Sequence, residues 1–169
     1  MYLTTEKGLA DFCDQLNSSP TLAIDTEFVR ERTYYHKLGL IQVSDGTHCA
    51  AIDPIHISNL EPFLNLVRNQ NTVKVFHAAR QDLEILHRLC DGAIQPVFDT
   101  QIAASVVGWG SQISFAKIVL REKMFLGAKH LYFAGKLFCN KNLRENVFAE
   151  MFLRENLFRR KKFDAFLGT

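Results

Sequence analysis

The stretch Thr21-Leu22-Ala23-Ile24-Asp25-Thr26-Glu27-Phe28-Val29-Arg30 decides the fold. Residues 21–24 form a short apolar run, bounded before by Ser18-Ser19-Pro20, and read as a buried strand. The run ends in the acidic Asp25-Thr26-Glu27. Side chains alternate along a strand, so residues 25 and 27 point the same way. Two carboxylates on one face at the end of a buried strand repel each other, and a bound divalent cation resolves that conflict. Hard ions such as Mg²⁺ and Mn²⁺ take oxygen ligands. On spacing alone, a pair of ordinary strand-end acids facing solvent remains the competing reading.

Working outward, residues 6–17 precede this strand with Leu9, Phe12, Cys13 and Leu16 at helical spacing. After it, Leu38-Gly39-Leu40-Ile41-Gln42-Val43 predicts a second strand, closed by the turn Ser44-Asp45-Gly46-Thr47. His48-Cys49-Ala50-Ala51-Ile52 predicts a third, ended by Asp53-Pro54. Three strands on short connections predict an antiparallel meander. The pattern then changes. Leu60, Phe63, Leu64 and Val67 make a helical stripe, residues 72–76 a strand, 82–89 a helix, 97–98 a short strand, and 100–107 another helix. Alternating strands and helices predict parallel β-α-β units. The expected class is α/β: a mixed sheet, meander first and β-α-β units after, with flanking helices.

Asp82 falls where a helix begins after a strand, and alone it reads as an N-cap. His77 at the end of that strand reads as a residue closing it with a hydrogen bond. Together with the first stretch these residues become specific. Ile24 through Arg30, Thr33-Tyr34-Tyr35 and Leu38 through Val43 resemble the first exonuclease motif of the ribonuclease D family. His77-Ala78-Ala79-Arg80-Gln81-Asp82-Leu83 resembles the second, and Phe98-Asp99-Thr100-Gln101-Ile102-Ala103-Ala104 the segment after it. The resemblance covers roughly residues 20–120 in order. It implies an RNase H-like fold and 3′→5′ exonuclease activity on RNA, releasing nucleoside 5′-monophosphates. It also implies Asp25, Glu27 and Asp82 as metal ligands and catalytic residues for two Mg²⁺ or Mn²⁺ ions. Such ions, about 4 Å apart, activate water and stabilise the departing 3′ oxygen. Asp99 is expected to be structural. Phe28, Gln42 and His77 are the candidates for holding the terminal nucleotide, with core packing the alternative for the first two. The implied partner is RNA, structured 3′ ends such as tRNA precursors among them.

The resemblance stops near residue 119. The family's third motif is a tyrosine followed four residues later by an aspartate, which completes the metal site. Beyond Val119 the tyrosine is Tyr132, with Lys136 at that offset, and the aspartate is Asp164, with Arg160 at that offset. Residues 1–119 therefore read as the exonuclease core and 120–169 as an atypical tail. Charge shifts at the same place: residues 1–120 carry a net −4 and residues 121–169 a net +6, with 8 of the 14 phenylalanines in the tail. A shift of reading frame near residue 120 accounts for this, since Ala149-Glu150-Met151-Phe152 read two bases later allows Gly-Asp-Val. The alternative is an evolved tail in which Glu150 or Glu155 replaces the missing ligand. Some helix is expected at residues 143–158, and the basic cluster at 159–162 is a candidate for holding phosphates. Weak or no nuclease activity is expected, with an RNA-binding module or a non-functional fragment as alternatives. The sequence holds no apolar run long enough for a membrane span and no recognisable leader. Its four dispersed cysteines suggest neither a zinc site nor a disulfide framework, so a reduced, cytoplasmic setting is expected.

Overall fold

A computed structural model describes residues 1–29 and 37–118. Thr33-Tyr34-Tyr35 of the first motif, Arg30, and every expectation for the tail lie outside the described residues. The latter include the helix at 143–158, Glu150 and Glu155 as replacement ligands, and the basic cluster at 159–162.

The described elements run β1 (Tyr2–Leu3), α1 (Glu6–Leu16), β2 (Thr21–Val29), β3 (Lys37–Ser44), β4 (Cys49–Ile52), α2 (Glu61–Arg68), β5 (Val73–Phe76), α3 (Arg80–Cys90), β6 (Val97–Asp99) and α4 (Thr100–Val106). The strands form one sheet in the order β1-β4-β3-β2-β5-β6. β2, β3 and β4 pair antiparallel, as the short connections predict, while β2–β5, β5–β6 and β1–β4 pair parallel. The mixed α/β sheet expected from sequence is therefore present, with β3 the strand that runs against the others.

Period-two alternation sorts the sheet into two faces. Leu22 and Ile24 on β2, Ile41 and Val43 on β3, and Ala50 and Ile52 on β4 enter one continuous core. α1 lays Leu9, Phe12, Cys13 and Leu16 on that core, α2 adds Phe63, Leu64, Leu66 and Val67, and α3 adds Leu86 and Cys90. Each Leu or Phe so buried contributes about 1.5–3 kcal/mol of transfer free energy. α1 begins at Thr5, whose hydroxyl accepts the Gly8 N–H at 3.2 Å. Lys74, fully buried on β5, donates its ammonium to the carbonyls of Asn69 and Gln95 at 2.7 and 2.8 Å. It thus ties the end of α2 to the approach to β6, and burial lowers its pKa.

Two details differ from the sequence expectation. β1 was not foreseen, because two residues carry no readable period; its Leu3 joins the core and its backbone pairs with β4. β2 runs on to Val29 along β3, so the acidic residues lie within the strand rather than at its end. Among the described residues, Cys13 and Cys90 are free and buried.

Candidate active site

The parallel pairing of β2 with β5 ends at Ala23–Val75, whereas the antiparallel pairing of β2 with β3 runs on to Val29. Past Ala23, then, the edge of β2 on this side has no paired strand among the described residues. The chain leaves β5 through His77 and Ala78 and enters α3 here. In open α/β sheets the crevice outside the carboxyl ends of strands is where ligands bind.

Asp25 and Glu27 sit on this free length of β2. Their cross-strand partners are Gln42 and Leu40, so the two carboxylates share the sheet face opposite the helical core. Gln42 is buried and its amide donates to Asp25 Oδ2 at 3.4 Å, a long and weak bond. Directly after Glu27 the register slips: Glu27 faces Leu40 but Phe28 faces Leu38, leaving Gly39 as the extra residue of a bulge. Bulges recur beside functional sites because they re-aim the chain. Phe28 alternates onto the other face, where its partner Leu38 packs on the core. The fold thus separates Phe28 from the carboxylate pair and sets Gln42 next to it.

Thr26 points toward the core and is 6% exposed. Its backbone N–H donates to Asp82 Oδ1 at 3.0 Å, and its hydroxyl donates to the same oxygen. Asp82 is the third residue of α3 and 7% exposed. The helix N-cap is Ala79, which supplies no side-chain cap, so the competing cap role for Asp82 is not the one it fills. Burial raises the Asp82 pKa and the nearby Glu27 charge adds to this; the two Thr26 bonds and its own backbone N–H pull the other way. Thr26 was not singled out in the sequence. The signal for it was present in the same alternation that pairs residues 25 and 27, since the residue between them must face the opposite side.

His77 is held elsewhere. Its Nδ1 lies 2.9 Å from the Thr100 hydroxyl, which itself donates to the Phe76 carbonyl at 3.0 Å. The ring also bonds the Ile113 backbone and stands edge-on to Phe115, with centroids 5.7 Å apart. Burial lowers its pKa against the opposing pull of Asp99 and the Ile113 backbone. These contacts join the end of β5 to α4 and the segment after it.

Asp99 caps α4 by accepting the N–H groups of Gln101 and Ile102. The same carboxylate accepts from Ala78 at 3.1 Å and Ala79 at 2.9 Å. Ala78 has φ 59°, a left-handed conformation that costs an alanine about 1 kcal/mol. Asp99 therefore holds the turn that starts α3. Partial burial raises its pKa, but the four backbone donors outweigh this and the net shift is downward.

The sheet order, the carboxylate pair at the free end of the central strand and the third acid on the following helix define an α/β fold of the RNase H-like kind. The comparisons place the chain within it. The family model described as 3′-5′ exonuclease matches residues 1–146. The chain is 47% identical over 119 residues to ribonuclease D of Sphingobium indicum, covering 69% of this chain and 31% of that protein. It is 42% identical over 117 residues to ribonuclease D of Escherichia coli, with the same two shares. The crystal structure of E. coli RNase D superposes with a TM-score of 0.71 at 31% identity, over 89% of this chain and 44% of that one. The Trypanosoma brucei RNase D:GMP complex has a TM-score of 0.63 at 15% identity, over 76% of this chain and 42% of that one, a likeness of fold. The chain belongs to the 3′→5′ exonuclease family and is of ribonuclease D type. It spans about a third of the length of the curated relatives it matches.

The family implies dependence on divalent metal. The residues present fit such an ion in donor type, because Asp25, Glu27 and Asp82 offer hard carboxylate oxygens. They fit in placement as a pair and a neighbour rather than as a closed cage. Among the described residues, no three His, Cys, Asp or Glu side chains already form a group that could hold a metal ion. Asp25 and Glu27 are brought to one face; Asp82 reaches the same stretch of strand through Thr26, close enough for the Glu27 charge to act on it.

Proposed function

We propose that this chain carries the catalytic part of a 3′→5′ exoribonuclease of ribonuclease D type, with Asp25, Glu27 and Asp82 as its metal-binding and catalytic carboxylates. The observation that supports it best is the joining of the two motifs: Thr26, between Asp25 and Glu27, holds Asp82 from 56 residues away. The substrate is RNA, attacked at its 3′ end and released as nucleoside 5′-monophosphates. Two solved relatives favour that substrate class. E. coli RNase D is described as an exoribonuclease involved in structured RNA processing, and a T. brucei RNase D was solved in complex with RNA U12. Structured 3′ ends such as tRNA precursors are the proposed natural targets.

Two bound Mg²⁺ or Mn²⁺ ions would supply activation of a water for attack on phosphorus and stabilisation of the departing 3′ oxygen. The chain's own residues do the rest. Asp25 and Glu27 present negative charge on one face of a strand that stays rigid because β3 pairs along it from Ala23 to Val29. Gln42 lies beside Asp25, and the bulge at Gly39 turns the chain away just past Glu27. Turnover in the chain as it stands is slow, because no Tyr-x-x-x-Asp follows Val119 to complete the carboxylate set. Residues 1–119 form the exonuclease core in this reading, and 120–169 an atypical tail. Incubating the purified chain with 3′-labelled RNA and Mn²⁺ tests the proposal. Slow release of labelled mononucleotide, stopped by EDTA and by Asp25→Ala, is expected. Internal fragments, or release that survives Asp25→Ala, would sink it.

A further inference from the structure

We infer that Thr26 is a positioning residue, whose paired donors set the orientation in which Asp82 meets a metal ion; this rests on the metal-site reading above. Three features of the geometry carry it. First, both Thr26 bonds end on one oxygen, Oδ1 of Asp82. The carboxylate cannot turn about its Cβ–Cγ bond without breaking both. Second, the bonds come from a rigid source. The backbone of Thr26 is fixed by pairing with Ile41 on β3, and its side chain is 6% exposed. Third, Thr26 stands between Asp25 and Glu27 in one strand, so its position is tied to theirs by the backbone. A residue on the face opposite the carboxylate pair thereby registers a helix-borne acid against two strand-borne acids. Within α3 the N-cap Ala79 offers no side-chain bond, and the local hold on the Asp82 carboxylate is its own backbone N–H.

Partners that orient a metal's ligands usually matter to affinity by about 10–100-fold. Thr26→Val keeps the shape and removes the hydroxyl donor; Thr26→Ser keeps the donor. The test is Mn²⁺ binding by titration calorimetry, with a thermal melt of each variant, on wild type, Asp25→Ala, Asp82→Asn, Thr26→Val, Thr26→Ser and the double variant Thr26→Val/Asp82→Asn. Thr26→Val is expected to weaken Mn²⁺ binding about tenfold, Thr26→Ser to restore it, and Thr26→Val to add nothing in the Asp82→Asn background. If Thr26→Val does not yield folded protein, Thr26→Ala against Thr26→Ser carries the same comparison. Wild-type binding lost in Asp25→Ala but unchanged in Thr26→Val, even with a lowered melting temperature, would overturn this inference and leave the metal site standing. A Thr26→Val loss that persists in the Asp82→Asn background would overturn it too. No Mn²⁺ binding by the wild-type chain would overturn the metal-site reading, and this inference with it.

Discussion

Two strand-to-helix junctions lie side by side in this molecule, and each has an aspartate. At the β6–α4 junction Asp99 is the helix N-cap, and its carboxylate is satisfied by four backbone N–H groups. At the β5–α3 junction Asp82 is one turn further in, is not the N-cap, and is bonded from a distant strand by Thr26. Their electrostatics diverge accordingly. Burial is the largest influence on both and acts upward on both; the backbone donors reverse it for Asp99, while for Asp82 burial and the Glu27 charge prevail. The same residue type at the same kind of junction is spent on folding in one case and kept ionically uncomfortable in the other. A carboxylate held under such tension next to a second acid is where a cation has the most to offer.

The largest effect that could break this comparison is catalytic. Asp82→Asn is expected to lower Mn²⁺-dependent mononucleotide release by about a thousandfold, roughly 4 kcal/mol in barrier, while its melting temperature holds or rises. An unchanged rate would put Asp82 in the structural class with Asp99. Next in size is Asp99→Ala, expected to cost about 2 kcal/mol of stability in chemical denaturation, since it uncaps α4 and releases the left-handed turn at Ala78. A loss under about 0.5 kcal/mol, the low end for a single cap, would show that the turn holds without it.

Acid titration sharpens the contrast further. The folded Asp99 pKa lies below its ordinary 3.8, so its contribution is present above 3.8 and is lost as pH falls through the folded value. The folded Asp82 pKa lies above 3.8, so its contribution has the opposite sign. It is full below 3.8 and disappears as pH rises through the raised folded value. Relative to wild type, Asp99→Asn should therefore flatten the stability loss below pH 3.8, and Asp82→Asn should gain stability as pH rises above it. Melts across the acid range that move both variants in the same sense would contradict the assignment. The smallest expected effect is at Gln42. Its 3.4 Å bond to Asp25 is too long to matter much, so Gln42→Met should shift stability by no more than about 1 kcal/mol and leave mononucleotide release nearly intact. A large loss would mean that Asp25 needs its donor as Asp82 needs Thr26.

Much of the fold could be read from residue order alone. Strong local patterns were enough for α1, α2 and the meander, because their apolar periods match the surfaces they bury. The end of β2 was misplaced because charge at Asp25 and Glu27 looks like a strand terminus, while backbone pairing with β3 carries the strand past both. Phe28 illustrates the same limit at the site. The family resemblance makes it a candidate for holding the terminal nucleotide, with core packing the alternative, and in the sheet its cross-strand partner is Leu38.

What the sequence determined by itself was most of the inventory and its phase: the strands after β1, that Asp25 and Glu27 share a face, and that an acid opens the helix after β5. Those follow from bond geometry that repeats every two or every 3.6 residues. What only the tertiary structure decided was the partner of each remaining acid. β5 pairs with β2 no further than Ala23, which bares the Thr26 N–H to Asp82. Asp99 meets Ala78 and Ala79 because β6 lies beside β5. A cap is a contest among donors within reach. For these two aspartates the winning donors lie 56 residues away in one case and as far as 21 in the other. Their proximity arises from where strands stop in the folded sheet, and no local propensity encodes that.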